Sequence, residues 1–305
     1  METKIFVITE SNADMRIDKA LSLFMPEHSR SFFQKLLKDG MVKSGGKVLR
    51  ASDKACPGWR IEVTLPDPEE LSVRPENIPL DIMYEDEDLL VVNKPKDMVV
   101  HPAAGHYEGT LVNAVLYHCG DSLSGINGVL RPGIVHRIDK DTTGTLLVCK
   151  SDFAHQALAE QLKEHSICRR YRAVVSGTFR EDSGTVDRPI GRNPQDRKKM
   201  AVNEKNGKPA VTHYTVLERF KNASYIECVL ETGRTHQIRV HMSSIGHPLL
   251  GDEVYGSGKN PWHLQGQALH AMILGFVHPR TGEYMEFCAP LPDYFEKLLG
   301  QLRRQ

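Results

Sequence analysis

Residues 66–79, PDPEELSVRPENIP, carry four prolines and four acids with no apolar periodicity. Proline fixes φ and lacks a backbone donor, so this run suits neither a helix interior nor a central strand. It reads as an extended linker, and a domain boundary belongs there. The organisation expected is a small domain over 1–66, a Pro/acid-rich linker over 67–79 and a larger domain over 80–305. Upstream, Ile17, Ala20, Leu21 and Phe24 recur at helical spacing, as do Phe32, Phe33, Leu36 and Leu37 before Gly40. A KSGGK turn then leads to WRIEVTL, where Ile61, Val63 and Leu65 alternate as in a strand. A helix-helix-strand unit of this size is marginal alone. Downstream, DIMYEDEDLLVVNKP predicts strand, acidic turn and strand. RYRAVVSG, VTHYTVLERF and SYIECVLET predict further strands, and FAHQALAEQLKEH is the clearest helix. Strands and helices do not alternate regularly, which favours an α+β fold with a mixed or antiparallel sheet over a doubly wound one.

Composition removes several classes of function. With 305 residues, 40% hydrophobic and 26% charged, the chain is an ordinary globular one. No apolar run approaches eighteen residues, and METKIFVITESNADMR lacks a signal or transit pattern, so a cytoplasmic protein with no membrane contact is expected. Six cysteines, at 56, 119, 149, 168, 228 and 288, form no C-x-x-C pair, which predicts buried thiols in a reducing compartment and no zinc ribbon or disulfide framework. Fourteen histidines include no H-E-x-x-H, and His236 and His241, five apart, are poorly aligned on either a strand or a helix. No metal is expected. The formal net charge of zero hides a division along the chain. Residues 16–60 hold ten Lys/Arg against four acids (+6), 67–88 hold one Arg against nine acids (−8), and 163–221 hold fourteen Lys/Arg against seven acids (+7). Such basic stretches are solvated faces or phosphate-binding surfaces.

The chemistry-bearing segment is GIVHRIDKDTTGTLLVCK, residues 133–150, where a charged cluster separates two apolar runs. It could be a solvated turn between neighbouring strands, because charge is costly to withdraw from water. It could equally present the carboxylate of Asp139 to a substrate, with Arg137 beside it to meet an anion. GDEVYGSGKN (251–260) is a decoy: Gly251 and Gly256 have phosphate-loop spacing, but Ser257 and Gly258 stand where Lys and Ser/Thr are required. No G-x-S-x-G elbow is present.

Five segments decide between these readings: VVNKPKDMVVHPAAG (91–105), RPGIVHRIDKDTTGTLLVCK (131–150), RRYRAVVSG (169–177), ETGRTHQIRVHMSSIGHPLLGDEVYG (231–256) and LHAMILGFVHP (269–279). In that order, with H-R-x-D-x-x-T-x-G and T-G-R-T-H-Q-I-R-x-H, they resemble the RluA/RluD family of pseudouridine synthases over essentially the whole chain, and the form RPGIVHRIDKDTTG is closest to the RluD branch. The small N-terminal domain resembles the alpha-L RNA-binding module. The resemblance implies a pseudouridine synthase catalytic domain acting on large-subunit (23S-type) ribosomal RNA, presented as a structured stem-loop, by a monomeric enzyme with no cofactor. The reaction breaks the uridine C1′–N1 bond, turns the uracil and rejoins it through C5, so it needs a carboxylate and no redox partner.

By the same resemblance Asp139 is the catalytic carboxylate, Arg234 the cation that holds it, and Tyr171 the aromatic packed on the target base. Arg137 would fill the space left by the extruded uridine, and Leu274 would form an apolar pocket wall. Arg192, Arg197, Lys198 and Lys199, with Arg30, Lys35 and Lys38 of the N-terminal helices, would grip phosphates. Three alternatives are a ribosome-associated RNA-binding protein without catalysis, a synthase acting on another RNA such as tRNA, and a nucleoside glycosidase that also needs an aspartate at C1′. The chain departs from the family at Lys96-Asp97, where N-K-P-x-G is usual, and at KSGGK and GWR in the small domain.

Overall fold

The computed structural model describes residues 2–25, 30–65, 73–102, 106–120, 122–125, 132–196, 199–256, 258 and 260–305. Two compact units divide the chain at residues 70/71. The smaller holds β1 (Glu2–Val7), α1 (Ile17–Phe24), α2 (Arg30–Lys38), β2 (Val42–Ser44), β3 (Lys47–Val48) and β4 (Arg60–Leu65), its strands ordered β1-β4-β2-β3 and all antiparallel. The apolar stripes of both helices, Ile17, Ala20 and Leu21 with Phe33, Leu36 and Leu37, meet Val42, Ile61 and Val63 of the sheet in one core. Gly45 and Gly46, both at positive φ, turn β2 into β3, as a two-residue hairpin requires. The KSGGK departure therefore keeps the hairpin.

One charge lies inside this unit. Asp18 is fully buried and accepts from Arg16 Nε at 3.1 Å, Arg30 Nε at 3.0 Å and Gln34 Nε2 at 2.6 Å. Arg30, expected to grip phosphate, instead ties α2 to α1, because a buried carboxylate must be paired. Lys35 and Lys38 of α2 are exposed.

The larger unit contains β5 (Ile82–Glu85), β6 (Leu89–Lys94), α3 (Leu111–Cys119), β7 (Thr143–Cys149), α4 (Asp152–Lys163), β8 (Cys168–Ser176), β9 (Ser183–Asp187), β10 (Ile190–Arg192), β11 (Met200–Val202), β12 (Val211–Arg219), β13 (Ala223–Leu230), α5 (Gln237–Ser244), β14 (Leu269–Val277), β15 (Tyr284–Cys288) and α6 (Asp293–Leu302). Nine strands form one mixed sheet, β5-β6-β7-β14-β8-β13-β12-β9, with β15 added beside β14. Its parallel pair is β7 with β14, at His270↔Thr143 and Ala271↔Gly144; the other pairs are antiparallel. This is the α+β architecture expected. The continuous apolar runs of β6 and β7 are covered on both faces. Leu90, Val92, Leu146 and Val148 pack with α3 residues Leu111 and Val115, whereas Leu89, Val91, Leu147 and Cys149 pack with Ala154 and Leu158 of α4.

The described part of the expected linker is extended but docked on the larger unit. Glu76 N–H donates to Asn113 O at 3.0 Å, Asn113 Nδ2 to Arg74 O at 2.8 Å, and Val73, Ile78 and Leu80 pack on the core. Residues 66–72 of that stretch lie outside the described residues. The cysteines are all free, but only Cys149 and Cys228 are buried; Cys56 and Cys288 are exposed, because each stands on the solvent side of its loop or strand end. Among the described residues no helix is long and apolar enough to cross a membrane.

The pairing of Asp18 holds its pKa well below the usual carboxylate range, through hydrogen bonds from Arg16, Arg30 and Gln34 that outweigh desolvation. A carboxyl whose pKa is depressed by folding stabilises above its unfolded pKa of about 4, and that contribution is lost as pH falls toward the folded value. The small unit should therefore loosen below about pH 4. Asp18→Asn should lose about 1–3 kcal/mol at neutral pH and flatten this acid dependence. Urea titrations followed by NMR signals of α1 and α2 measure both.

Candidate active site

The loop carrying Asp139 is shaped by β7. Past Gly144 that strand no longer pairs with β14, and residues 133–136 cover the exposed edge. Cys149 N–H donates to Gly133 O at 2.8 Å, Ile134 bridges Val148, and Leu147 N–H donates to His136 Nε2 at 3.0 Å. His136 is thus a neutral acceptor; burial and the charge of Arg169 push its pKa down to about 3. The chain then turns, Thr142 N–H donating to Asp139 O at 3.0 Å. From the far side Lys94, almost fully buried, donates to Pro95 O at 2.7 Å, Met98 O at 2.8 Å and Lys140 O at 2.9 Å. Three carbonyls use all three ammonium protons, although burial lowers the Lys94 pKa to about 7. Asp97, in place of the usual glycine, is left-handed at φ 65° and pairs with Lys140 at 2.7 Å. Aspartate tolerates that conformation better than most residues, so the departure is absorbed locally.

Asp139 opens into a cavity of about 470 Å³ lined also by Arg137, Arg169, Tyr171, Arg234 and Arg239. Its cation is Arg239, not Arg234. Arg239 Nη1 donates to Asp139 Oδ2 at 2.9 Å, while Nε and Nη2 grip Asp252 at 2.7 and 2.9 Å. Asp252 Oδ1 also accepts from Val254 and Tyr255 N–H at 2.9 and 3.0 Å. Hydrogen bonds and charge from the two carboxylates raise the Arg239 pKa despite burial, and the Arg239 guanidinium with the two backbone N–H groups lowers that of Asp252 against its own burial. Arg234 lies in the loop before α5 and its Nε turns to Pro209 O at 2.9 Å. The physical reason is the helix: His236 caps α5, so Arg239 sits one turn on, on the face that carries His236 toward Asp139. The sequence signal was the THQIR spacing, legible once a helix begins at Gln237.

Gln237 makes the rest of that motif intelligible. Buried, it accepts from Thr232 Oγ1 and Arg234 N–H at 2.9 Å each, and donates to Val211 O at 2.9 Å and Thr212 Oγ1 at 3.1 Å. His236, left-handed at φ 56°, places Nε2 3.8 Å from Asp139 Oδ1 and Nδ1 2.8 Å from Tyr255 Oη, which accepts Met200 N–H at 3.0 Å. A Tyr255 hydroxyl that donates to Nδ1 leaves the Nε2 proton toward Asp139. Arg239, Asp252 and Tyr255 were not singled out from sequence, the last two belonging to the rejected phosphate-loop decoy, and His236 was weighed only as a metal ligand. His241 is committed to Thr212 Oγ1 and Arg188 O at 2.9 Å each.

Tyr171 is buried in the cavity wall, its register partners Cys228 on β13 and Ala271 on β14; burial raises its pKa, so the phenol stays protonated. Arg137 is exposed at the cavity, Nη1 donating to His101 Nε2 at 3.4 Å. Leu274 is not a cavity wall: it packs with Leu147 and Phe276, and Leu230, Ile238 and Leu269 line the cavity instead. Leu269 and Leu274 stand five positions apart on β14 and pack in different clusters, Leu269 with Tyr171 and Ala271, Leu274 with Phe276. Arg192 and Lys199 flank the β10–β11 turn, and Arg197 and Lys198 lie outside the described residues. Among the described residues one metal-type cluster converges, Glu85, His118 and Cys119, and there the Lys150 ammonium already sits 2.7 Å from Glu85.

A model of the family described as RNA pseudouridylate synthase matches residues 88–244. An uncharacterised RNA pseudouridine synthase of Bacillus subtilis is 55% identical over 296 residues, which is 97% of this chain and 97% of that protein. The ribosomal large subunit pseudouridine synthase D of Zymomonas mobilis is 50% identical, across 99% of this chain and 98% of its own. Among solved structures, human RNA pseudouridylate synthase domain containing 1 superposes with a TM-score of 0.58 at 28% identity, covering 79% of this chain and 98% of that one. The fold and the site are those of an RNA-modifying isomerase. The chain belongs to the RluA/RluD family of RNA pseudouridine synthases.

Arg239→Ala leaves Asp252 buried without its cation, which costs about 3–5 kcal/mol, and releases Asp139. Arg234→Ala leaves both pairs intact and should show no comparable loss. Urea unfolding of the two variants separates the assignments.

Proposed function

We propose that the chain isomerises uridines of large-subunit ribosomal RNA with Asp139 as the catalytic carboxylate. The observation that carries this reading is a partly buried carboxylate lining a polar and apolar cavity, one oxygen fixed by Arg239 and the other 3.8 Å from His236 Nε2. The pairing fixes the orientation of the carboxylate, as an attacking or proton-abstracting group requires. In the overall change the C1′–N1 bond breaks, a C1′–C5 bond forms, C5 loses a proton and N1 gains one. No electrons are exchanged, so the chain's own acid and base groups suffice. Tyr171 supplies an aromatic face for the uracil, with Leu230, Ile238 and Leu269 as apolar neighbours.

The ribosomal assignment rests on relatives: the Zymomonas mobilis protein, and a large-subunit pseudouridine synthase D of Haemophilus influenzae, 45% identical over 94% of this chain. On this reading the unit over 1–66 binds RNA through exposed residues such as Lys35 and Lys38, and Arg192, Lys199, Arg197 and Lys198 add phosphate contacts. Pseudouridine maps of ribosomal RNA from cells with and without the protein should differ at large-subunit positions; identical maps would remove the assignment. Asp139→Asn should slow tritium release from RNA labelled at uridine C5 by far more than tenfold, about 1.4 kcal/mol in barrier, while RNA binding persists.

Arg137, exposed beside the cavity, fits the role of filling the space vacated by an extruded uridine. Arg137→Ala should then slow a structured stem-loop one to two orders of magnitude more than a short unstructured RNA, because unstacking costs a few kcal/mol only in the former. Parallel single-turnover rates on the two substrates decide this.

A further inference from the structure

We propose that Arg169 and Arg234 form a phosphodiester-binding subsite in the wall of the catalytic cavity, taking one backbone phosphate of the RNA beside the target uridine. The inference uses the chain's action on RNA but not the ribosomal assignment. Both guanidiniums line the same cavity as Asp139. Arg169 is only 6% exposed, yet its acceptor among the described residues is a neutral one, Glu231 O at 2.9 Å from Nη2. Its Nε is buried with no hydrogen-bond partner among the described residues. Arg234 has Pro209 O on Nε. The nearby carboxylate of Glu231 is engaged by His213 at 2.7 Å. Asp139 and Asp252 are both held by Arg239.

Among the described residues neither cation is paired with a carboxylate, and the charge of Arg234 acts against that of Arg169. A buried cation without a counter-ion is unfavourable, and a like-charged neighbour makes it more so. The packing nevertheless brings the two together. A Cβ on Gly233 would lie 2.6 Å from Arg169 Nη1, so the loop passes close over the guanidinium and a side chain there would have to push it aside. Gln237 fixes the same loop by taking the Arg234 N–H. A site that brings two guanidiniums to one cavity and leaves them uncompensated is matched to an anion, and the anion RNA presents is its phosphate, which arginine grips through a planar fork. A uracil carbonyl would satisfy Nε but would not offset the second charge.

The test uses the full chain and a short RNA stem-loop that the wild-type protein converts. Equilibrium binding is measured against salt for wild type, Arg169→Met, Arg234→Met and the double variant, with single phosphates near the target replaced in turn by neutral methylphosphonate. Each single variant should weaken binding and reduce the slope of log affinity against log salt by about 0.7–0.9, the share of one phosphate. The double variant should lose little more, since both arginines hold one group. One methylphosphonate position should weaken the wild type and leave Arg169→Met unaffected. Without RNA, Arg169→Met should have an unfolding midpoint equal to or above that of the wild type, because an uncompensated charge is removed. Unchanged salt slopes in both single variants, or no methylphosphonate position coupled to either arginine, would overturn the subsite. Arg234→Met keeps the test open if Arg169→Met does not fold.

Discussion

Everything at the site depends on one buried guanidinium that binds two carboxylates at once. Arg239 takes Asp252 with two of its nitrogens and Asp139 with a third. The pair with Asp252 is structural: both members are almost fully buried, and backbone N–H groups of Val254 and Tyr255 complete the acceptor. The pair with Asp139 is half open, and only that carboxylate reaches the cavity. One cation thus has its orientation set by a buried carboxylate and gives a further donor to the one at the cavity. A buried pair adds little net stability, because desolvation offsets most of the Coulomb gain. Its value here is geometric, since a bidentate fork fixes the plane of the guanidinium and with it the position of Asp139.

The opposite side of the Asp139 loop is fixed by neutral contacts. His136 supplies an imidazole nitrogen where β7 would otherwise need a neighbouring strand's carbonyl, and Lys94 collects three carbonyls that no strand partner reaches. Both replace ladder hydrogen bonds at the point where the sheet opens between β7 and β14, so a gap in the sheet becomes a rigid cradle for a charged loop. Buried backbone groups must be paired, which explains why side chains take these positions.

Local departures from the family pattern are accommodated by the same physics. Asp97 takes the left-handed conformation that glycine usually serves and gains the Lys140 pair. Gly45 and Gly46 give the β2–β3 turn the positive φ values a two-residue hairpin needs. Trp59 of the GWR variant packs on the small core, and Gly58 beside it has φ 84°.

The sequence by itself determined the elements whose pattern is periodic and local. The two amphipathic helices of the small unit, β4 to β6, β8, β12, β13 and α4 were all legible because apolar spacing reports burial directly. Asp139 was legible too, through a family resemblance carried by contiguous motifs. The tertiary structure alone decided which arginine meets Asp139, which leucines line the cavity, and that Arg30 serves Asp18. Each of these is a choice between chemically equivalent residues a few positions apart. The choice is made by a helix start at Gln237, by the different clusters in which Leu269 and Leu274 pack, or by a buried acid twelve residues away. Asp252 and Tyr255 were hidden for the same reason: they meet Arg239 and His236 only after the chain folds back, and charge pairing across such a distance leaves no periodic trace.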